Sequence, residues 1–250
     1  MNQVSLVLGG GGARGAYQIG ALKALKELDI NFEIITSTSV GCLNSLLIIQ
    51  NQFEKLLELW ESITYETVMN HKYKFKNKSL ETFFVAPLHN GFSIEPLEEL
   101  LEKYIDEELT RNAKTKMGIV ITENFKKYRS YTLDQIPIGE LKNYILTSCS
   151  AWPFLKKRKI NGKTCYDGYY SDNLPIKLAT EMGAKKVIAI DVLRGFRKKT
   201  DNKNVYYLKL KSKYFFLNFN KKVIRELIEL GYNDVMKRKD EILTFVNGNN

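Results

Sequence analysis

The chain has 250 residues, of which 44% are hydrophobic, enough to bury a full core, and its length predicts one domain. Against 28 Asp plus Glu stand 38 Lys plus Arg, a formal net charge of +10 that favours polyanionic partners, an acidic membrane surface or a nucleic acid. No apolar run reaches the roughly 20 residues a helix needs to cross a bilayer, and no basic leader with a cleavable apolar segment precedes the first strand-like residues. A soluble, cytoplasmic protein is therefore expected.

In chain order, Val4 to Leu8 is a β-branched apolar run, and four glycines follow it. Ile19, Leu22, Leu25 and Leu28 then recur at helical spacing across Ala16 to Leu28. Phe32 to Ile35 reads as a second strand. From Val40 onward, Leu43, Leu46 and Leu47 read as a buried helix, so the turn between the two is very short. Helices are expected over Phe53 to Ile63 and Pro96 to Tyr104, the second opened by a proline that suits a first helical turn. Between them, Met69 to Asn90 is basic, aromatic and poorly periodic, and reads as a surface excursion or lid. Met117 to Thr122, Tyr128 to Leu133, Lys163 to Tyr166 and Lys185 to Val192 resemble strands, and Glu140 to Thr147 a helix. A last strand, Val205 to Leu210, precedes a helix from Lys221 to about Lys237.

Strands alternating with helices imply an α/β fold, a largely parallel central sheet with helices on both faces in three layers. Nothing in composition divides the chain, so residues 193–250 are expected to complete the same single domain. Cys42, Cys149 and Cys165 show neither metal-ligand spacing nor an even count for disulfides. They read as small apolar residues of a protein in a reducing compartment.

The run Gly9 to Gly12, Ala13, Arg14 and Gly15 joins a strand to a helix, where backbone amides and the helix dipole converge on one negative atom. That atom can be a bound phosphate or an oxyanion formed in a transition state. Gly10, Gly12 and Gly15 fit the dinucleotide-binding spacing, with Glu33 about 20 residues on, so a nucleotide-binding α/β protein is one reading. A phosphate-binding loop is not, since no Gly-Lys-Ser/Thr follows the glycines. The second turn, Ser37-Thr38-Ser39-Val40-Gly41, places a serine among small residues between strand and helix, as a nucleophile elbow does, although Ser39 could equally cap the helix. Loops after neighbouring parallel strands open on one edge, which would bring the glycine amides and Ser39 to a common point.

A serine nucleophile needs a base. The two histidines, His71 and His89, both precede the later strands that would supply the acid and then the histidine of an α/β-hydrolase triad, so that order is excluded. Asp167, after the strand-like run and before Gly168, is the best carboxylate candidate, with a simple turn aspartate as the alternative.

Gly10-Gly11-Gly12-Ala13-Arg14-Gly15, Ser37-Thr38-Ser39-Val40-Gly41, and Asp167-Gly168 followed by Asp172-Asn173-Leu174-Pro175 resemble the patatin-like phospholipases in order and spacing, over about residues 4–192. The resemblance implies a Ser-Asp dyad, with Ser39 as nucleophile and Asp167 as base. It also implies an oxyanion hole at Gly10, Gly11 and Gly12 braced by Arg14, and hydrolysis of phospholipid or related acyl esters with no metal or other cofactor. Ser148 to Pro153 and Asn173 to Pro175 look like segments that shape such a site. The family's usual small residues are replaced by Ser37 at the elbow and by Tyr169 after Asp167-Gly168, and the larger Tyr169 is expected to narrow or reshape the acyl pocket.

From Arg194 to Lys222 there are ten Lys or Arg and one acid, Asp201, interleaved with aromatic residues, and Lys156-Lys157-Arg158-Lys159 forms a second basic cluster. For a lipid hydrolase this reads as a face that docks on an anionic membrane, or as a solvated face over buried aromatics. A nucleic-acid groove would use the same residues but would leave the glycine loop and elbow unexplained, so no nucleic-acid partner is expected.

Overall fold

Val4–Leu8 forms the strand β1, and all five of its residues are buried. A strand hidden on both faces requires cover above and below the sheet. Leu6 and Leu8 face the main apolar core, whereas Val7 faces a smaller one with Leu174, Ala179, Val187 and Ala189. The computed structural model describes residues 4–70, 78–193 and 202–248. Its other strands are β2 (Phe32–Ser37), β3 (Lys116–Glu123), β4 (Lys127–Thr132), β5 (Arg158–Ile160), β6 (Lys163–Asp167), β7 (Val187–Asp191) and β8 (Val205–Lys209).

The helices are α1 (Gly15–Glu27), α2 (Val40–Ile49), α3 (Phe53–Ser62), α4 (Tyr65–Val68), α5 (Lys78–Val85), α6 (Glu95–Glu102), α7 (Glu107–Arg111), α8 (Leu141–Ser148), α9 (Ile176–Glu181), α10 (Lys221–Met236) and α11 (Lys239–Asn247).

These strands make one mixed sheet in the order β5-β6-β3-β2-β1-β7-β8, with β4 on the remaining edge of β3. From β3 through β2, β1 and β7 to β8 every neighbouring pair is parallel. The departures lie on the far side, where β4 and β6 run antiparallel to β3, and β5 antiparallel to β6. The largely parallel α/β sheet expected from the sequence is therefore present, with an antiparallel flank that strand-helix alternation does not announce. Its two faces are covered unequally. Helices α1, α2, α3, α8 and α10 contribute to the large core, while α9 covers the other face against β1, β2 and β7.

Helix α10 lies along α1 at very short range. A Cβ on Gly20 would stand 1.8 Å from the Ile228 carbonyl oxygen and one on Gly231 2.0 Å from that of Tyr17, so only glycine lets the two backbones meet. The segment Met69 to Asn90 differs from the excursion expected. It contains α5 and a 3-10 turn, Pro87–His89, and Met69, Glu81, Thr82 and Ala86 are buried. Its spacing was hard to read because the exposed face of α5 carries Phe83 and Phe84, which inverts the usual apolar-inside pattern. His71 and residues 194–201 of the basic segment lie outside the described residues.

Candidate active site

In the register of β1 with β2, Leu8 pairs with Ser37, so the loops after both strands leave the same edge of the sheet. The β2 loop turns at once into α2. At the turn Ser39 takes φ 55° and ψ −130°, backbone that costs a non-glycine residue about 1–3 kcal/mol and persists only where its surroundings impose it. They do so here. The Thr38 amide donates to the Leu8 carbonyl at 3.1 Å, the Thr38 hydroxyl to the Asp172 carbonyl at 2.9 Å, and the Ser39 amide to Ser148 Oγ at 2.9 Å. Ser148 Oγ in turn donates to the Val120 carbonyl at 2.7 Å. Helix and strand nearly collide behind the turn, where a Cβ on Gly41 would lie 2.4 Å from the Leu8 carbonyl oxygen. Although Ser39 occupies the N-cap position of α2, its side chain makes no capping bond. Its hydroxyl donates to Asp167 Oδ2 at 2.6 Å.

The antiparallel flank is what delivers the carboxylate. Strand β3 pairs with β2 as far as Ser37–Ile119 and with β6 from Asp167–Ile121 onward. Because β4 occupies the other edge across both stretches, β2 and β6 share one edge of β3, running toward each other from opposite ends. The last residue of β6 is Asp167, which is thereby set beside the elbow. Gly168 then lets the chain escape between β3 and the elbow: a Cβ there would meet the Val120 carbonyl oxygen at 2.4 Å and Thr38 Cγ2 at 2.9 Å.

The Asp167 carboxylate accepts a hydrogen bond on each oxygen. Oδ1 accepts the Tyr169 amide at 2.8 Å, as a turn aspartate does, and Oδ2 holds Ser39. The carboxyl is 1% exposed, and burial pushes its pKa up to about 7 against the lowering effect of these two hydrogen bonds.

The glycine loop faces the same point. Asn173 grips the Gly10 residue twice: its carbonyl accepts the Gly10 amide at 3.3 Å, and its Nδ2 donates to the Gly10 carbonyl at 3.1 Å. The Gly11 carbonyl accepts the Arg14 amide at 3.2 Å. In a trans peptide the C=O and the following N–H point oppositely, so these bonds turn the Gly11 and Gly12 N–H groups away from their carbonyls' partners. Among the described residues neither amide has a hydrogen-bond partner. Of the three glycines singled out in sequence, Gly10 thus has its amide engaged, and Gly11 and Gly12 offer theirs.

Arg14 is buried and ties the loop to two later segments, Nε donating to the Tyr214 carbonyl at 3.0 Å and Nη1 to that of Val192 at 3.3 Å. Gly12, at φ 54°, passes so close to the Phe216 carbonyl that a Cβ would lie 2.3 Å from it.

These groups line a cavity of about 340 Å³ whose walls are mainly apolar, with Leu43, Ile63, Leu97, Phe154, Phe216 and Phe219 among them. Tyr169 lies at its rim, 49% exposed, so the replacement of a small residue adds bulk at the entrance more than in the depth. Cys149 also reaches the wall, but burial raises its pKa and pushes that of Cys42 up to about 12, which keeps both thiols protonated and poor nucleophiles.

Two sequence candidates are not brought to this place. Glu33 is the second residue of β2, at the end of the strand remote from the glycine loop, where it cannot reach a ribose held there. His89 sits in the turn after α5 and is not among the cavity-lining residues. Among the described residues no three His, Cys, Asp or Glu side chains gather as a metal site requires. Ser148, which fixes the elbow, and Asn173, with its double grip, begin the two segments that the resemblance marked as shaping the site without giving either residue a role.

The model of the family described as patatin-like phospholipase matches residues 6–180. Patatin-like phospholipase domain-containing protein 7 of Rattus norvegicus is 34% identical over 213 residues, which cover 81% of this chain and 14% of that protein. Patatin-like phospholipase domain-containing protein 6 of Homo sapiens is 30% identical over 209 residues, covering 80% and 14% respectively. The chain therefore spans only a small part of the length of these relatives. In fold it is similar to VipD from Legionella pneumophila, with a TM-score of 0.63 at 14% identity over 96% of this chain and 67% of that one. With the family model matching most of a chain whose glycine loop, elbow and aspartate turn converge on one cavity, the protein belongs to the patatin-like phospholipase family.

Proposed function

We propose that the protein hydrolyses acyl esters of phospholipids or related lipids, with Ser39 as nucleophile and Asp167 as its base. The observation that carries this reading is the 2.6 Å hydrogen bond from Ser39 Oγ to a buried carboxylate, at the floor of an apolar cavity. The ester enters with its acyl chain along the apolar wall. Ionised Asp167 takes the hydroxyl proton as Ser39 Oγ attacks the carbonyl carbon. The carbonyl oxygen becomes an oxyanion facing the Gly11 and Gly12 amides, each such donor contributing roughly 3 to 4 kcal/mol. Protonated Asp167 returns the proton to the leaving alcohol. Water, deprotonated by the same carboxylate, then releases the fatty acid and restores Ser39.

The names of the relatives and of the family model, all phospholipases, support a lipid substrate. Placement in the cytoplasm, at the inner face of a membrane, belongs to the same proposal, and the three buried free cysteines fit a reducing compartment.

The test is release of fatty acid from phospholipid vesicles and turnover of a soluble short-chain ester by wild type, Ser39→Ala and Asp167→Asn. Each variant is expected to lose at least roughly a thousandfold in turnover while remaining folded. A variant that matches an active wild type would remove its residue from the mechanism.

A further inference from the structure

Among the described residues seven large hydrophobic side chains are exposed; four of them, Phe83, Phe84, Phe125 and Tyr169, line the cavity or connect to its lining through ring contacts, and a fifth, Leu88, lies in the turn after α5. Phe84 stands edge-on against Phe83 at 5.1 Å, and Phe83 stacks on the cavity-lining Phe154 at 5.9 Å. Phe154 meets Phe216, also of the cavity wall, at 5.6 Å. On the opposite side Tyr169 lines the rim beside Tyr170, and Phe125 packs on Tyr170 at 5.2 Å and on Trp152 at 5.3 Å. The two sides are joined where Trp152 Nε1 donates to Asn90 at 2.8 Å, just after the turn that carries Leu88.

An aromatic and aliphatic surface is thus continuous with the wall of a lipid-sized cavity. Leu88 is 81% and Phe84 64% exposed, a cost in water that a soluble surface has no reason to concentrate around one opening. Lys156 and Lys157, just after Phe154 and Leu155, and Lys211 and Lys213, just before Phe215 and Phe216, are exposed and flank it with positive charge.

We propose that this face seats the protein on an anionic phospholipid bilayer, with Phe84 and Leu88 entering the interface and the cavity mouth opening onto the lipid. The occupant follows from the charge of the rim, from the net charge of +10, and from continuity with the cavity. This relocates the apolar part of docking. In the basic C-terminal segment Tyr206, Tyr207, Tyr214, Phe215 and Phe216 are half-buried and Phe219 is buried, so its described residues supply cations while α5 and its turn supply the apolar anchor. The proposal rests on the hydrolase reading only for the identity of what enters the cavity.

The experiment compares wild type with Phe84→Ser/Leu88→Ser, each also in a Ser39→Ala background so that binding is read without hydrolysis. Co-sedimentation uses vesicles of equimolar phosphatidylcholine and phosphatidylglycerol, and turnover is followed on those vesicles and on a soluble short-chain ester. The double variant is expected to partition about tenfold less or weaker still, and to lose vesicle turnover in proportion while keeping soluble-ester turnover. Unchanged partitioning, or equal loss on both substrates, would overturn the proposal. So would wild type that ignores these vesicles, or a double variant that changes only oligomeric state in light scattering, which would make the face a protein interface. If soluble-ester turnover is absent in wild type while vesicle partitioning still depends on Phe84 and Leu88, the hydrolase reading fails and the docking face stands.

Discussion

Asp167 owes its position to its backbone and its acidity to its surroundings. Since burial brings its pKa to about 7, a base at this position is half ionised near neutral pH. Turnover of a soluble ester, as kcat/KM, should therefore rise with pH and level off above about 7; a flat profile from about pH 5 to pH 8 would exclude Asp167 as the base. Asn173 works through another group. Its Nδ2 holds the peptide that carries the Gly11 N–H, while its Oδ1 is buried with no partner among the described residues. Asn173→Ala should lower kcat roughly 10- to 100-fold with little change in KM. It should also lower the melting temperature, because the buried Gly10 carbonyl loses its donor at a cost of roughly 1–3 kcal/mol. Of these residues, Ser39 and Asp167 could be singled out in sequence because an elbow demands small neighbours and a tight exit demands glycine. Asn173 and Ser148 fell within segments that the resemblance marked, but their roles were not legible, since each acts on backbone more than a hundred residues away and any polar side chain of similar reach would read the same.

The parallel half of the sheet was legible in the apolar runs of β1, β2, β3 and β7, whose burial on both faces leaves little alternation to misread. The antiparallel flank was not, because β5 has three residues and β6 five, too short for periodicity to declare direction. Short helices α4, α7 and α9 were missed for the same reason, and α11 because Lys239 to Asn247 offers little beyond Ile242 and Val246 to bury. The pairing of α1 with α10 is set by two glycines that sequence alone presents as helix weaknesses. Gly231→Ala gains about 1 kcal/mol of helix propensity, yet drives a Cβ to within 2.0 Å of the Tyr17 carbonyl oxygen, a backbone atom that cannot swing aside. The steric term should win, with a net loss of roughly 1–3 kcal/mol read as a lower urea midpoint. A midpoint at or above that of wild type would mean the two helices separate at little cost.

Across the whole molecule the buried carboxylate of Asp167 opposes stability. Asp167 titrates near 7 when folded and at about 3.9 when unfolded, so the folded state holds the proton more tightly. Its contribution is full below about pH 4 and is lost as the pH rises to about 7, where ionisation in a dry site must be tolerated. Asparagine is isosteric, can still accept the Tyr169 amide and never ionises. Asp167→Asn should therefore be the more stable protein above pH 7, by roughly 3 to 4 kcal/mol, with the advantage shrinking toward about pH 4. Thermal melts at about pH 5 and pH 8 read this directly, and an advantage independent of pH would place the cost elsewhere. The overall architecture was open to sequence because patterning alone decides it, whereas the exposed face of α5 was hidden by the convention that aromatic residues belong inside.

Strand β3 contributes no side chain to the cavity, yet it serves as the gauge that spaces Ser39 from Asp167. Ser37 and Asp167 are paired with it in register at Ile119 and Ile121, on one edge, and this pairing spaces the elbow from the carboxylate. One notch on that gauge is about 3.3 Å, longer than the 2.6 Å between Ser39 Oγ and Asp167 Oδ2. Any bulge or slip between those two rungs would part Ser39 from Asp167 without replacing a single side chain of the cavity wall.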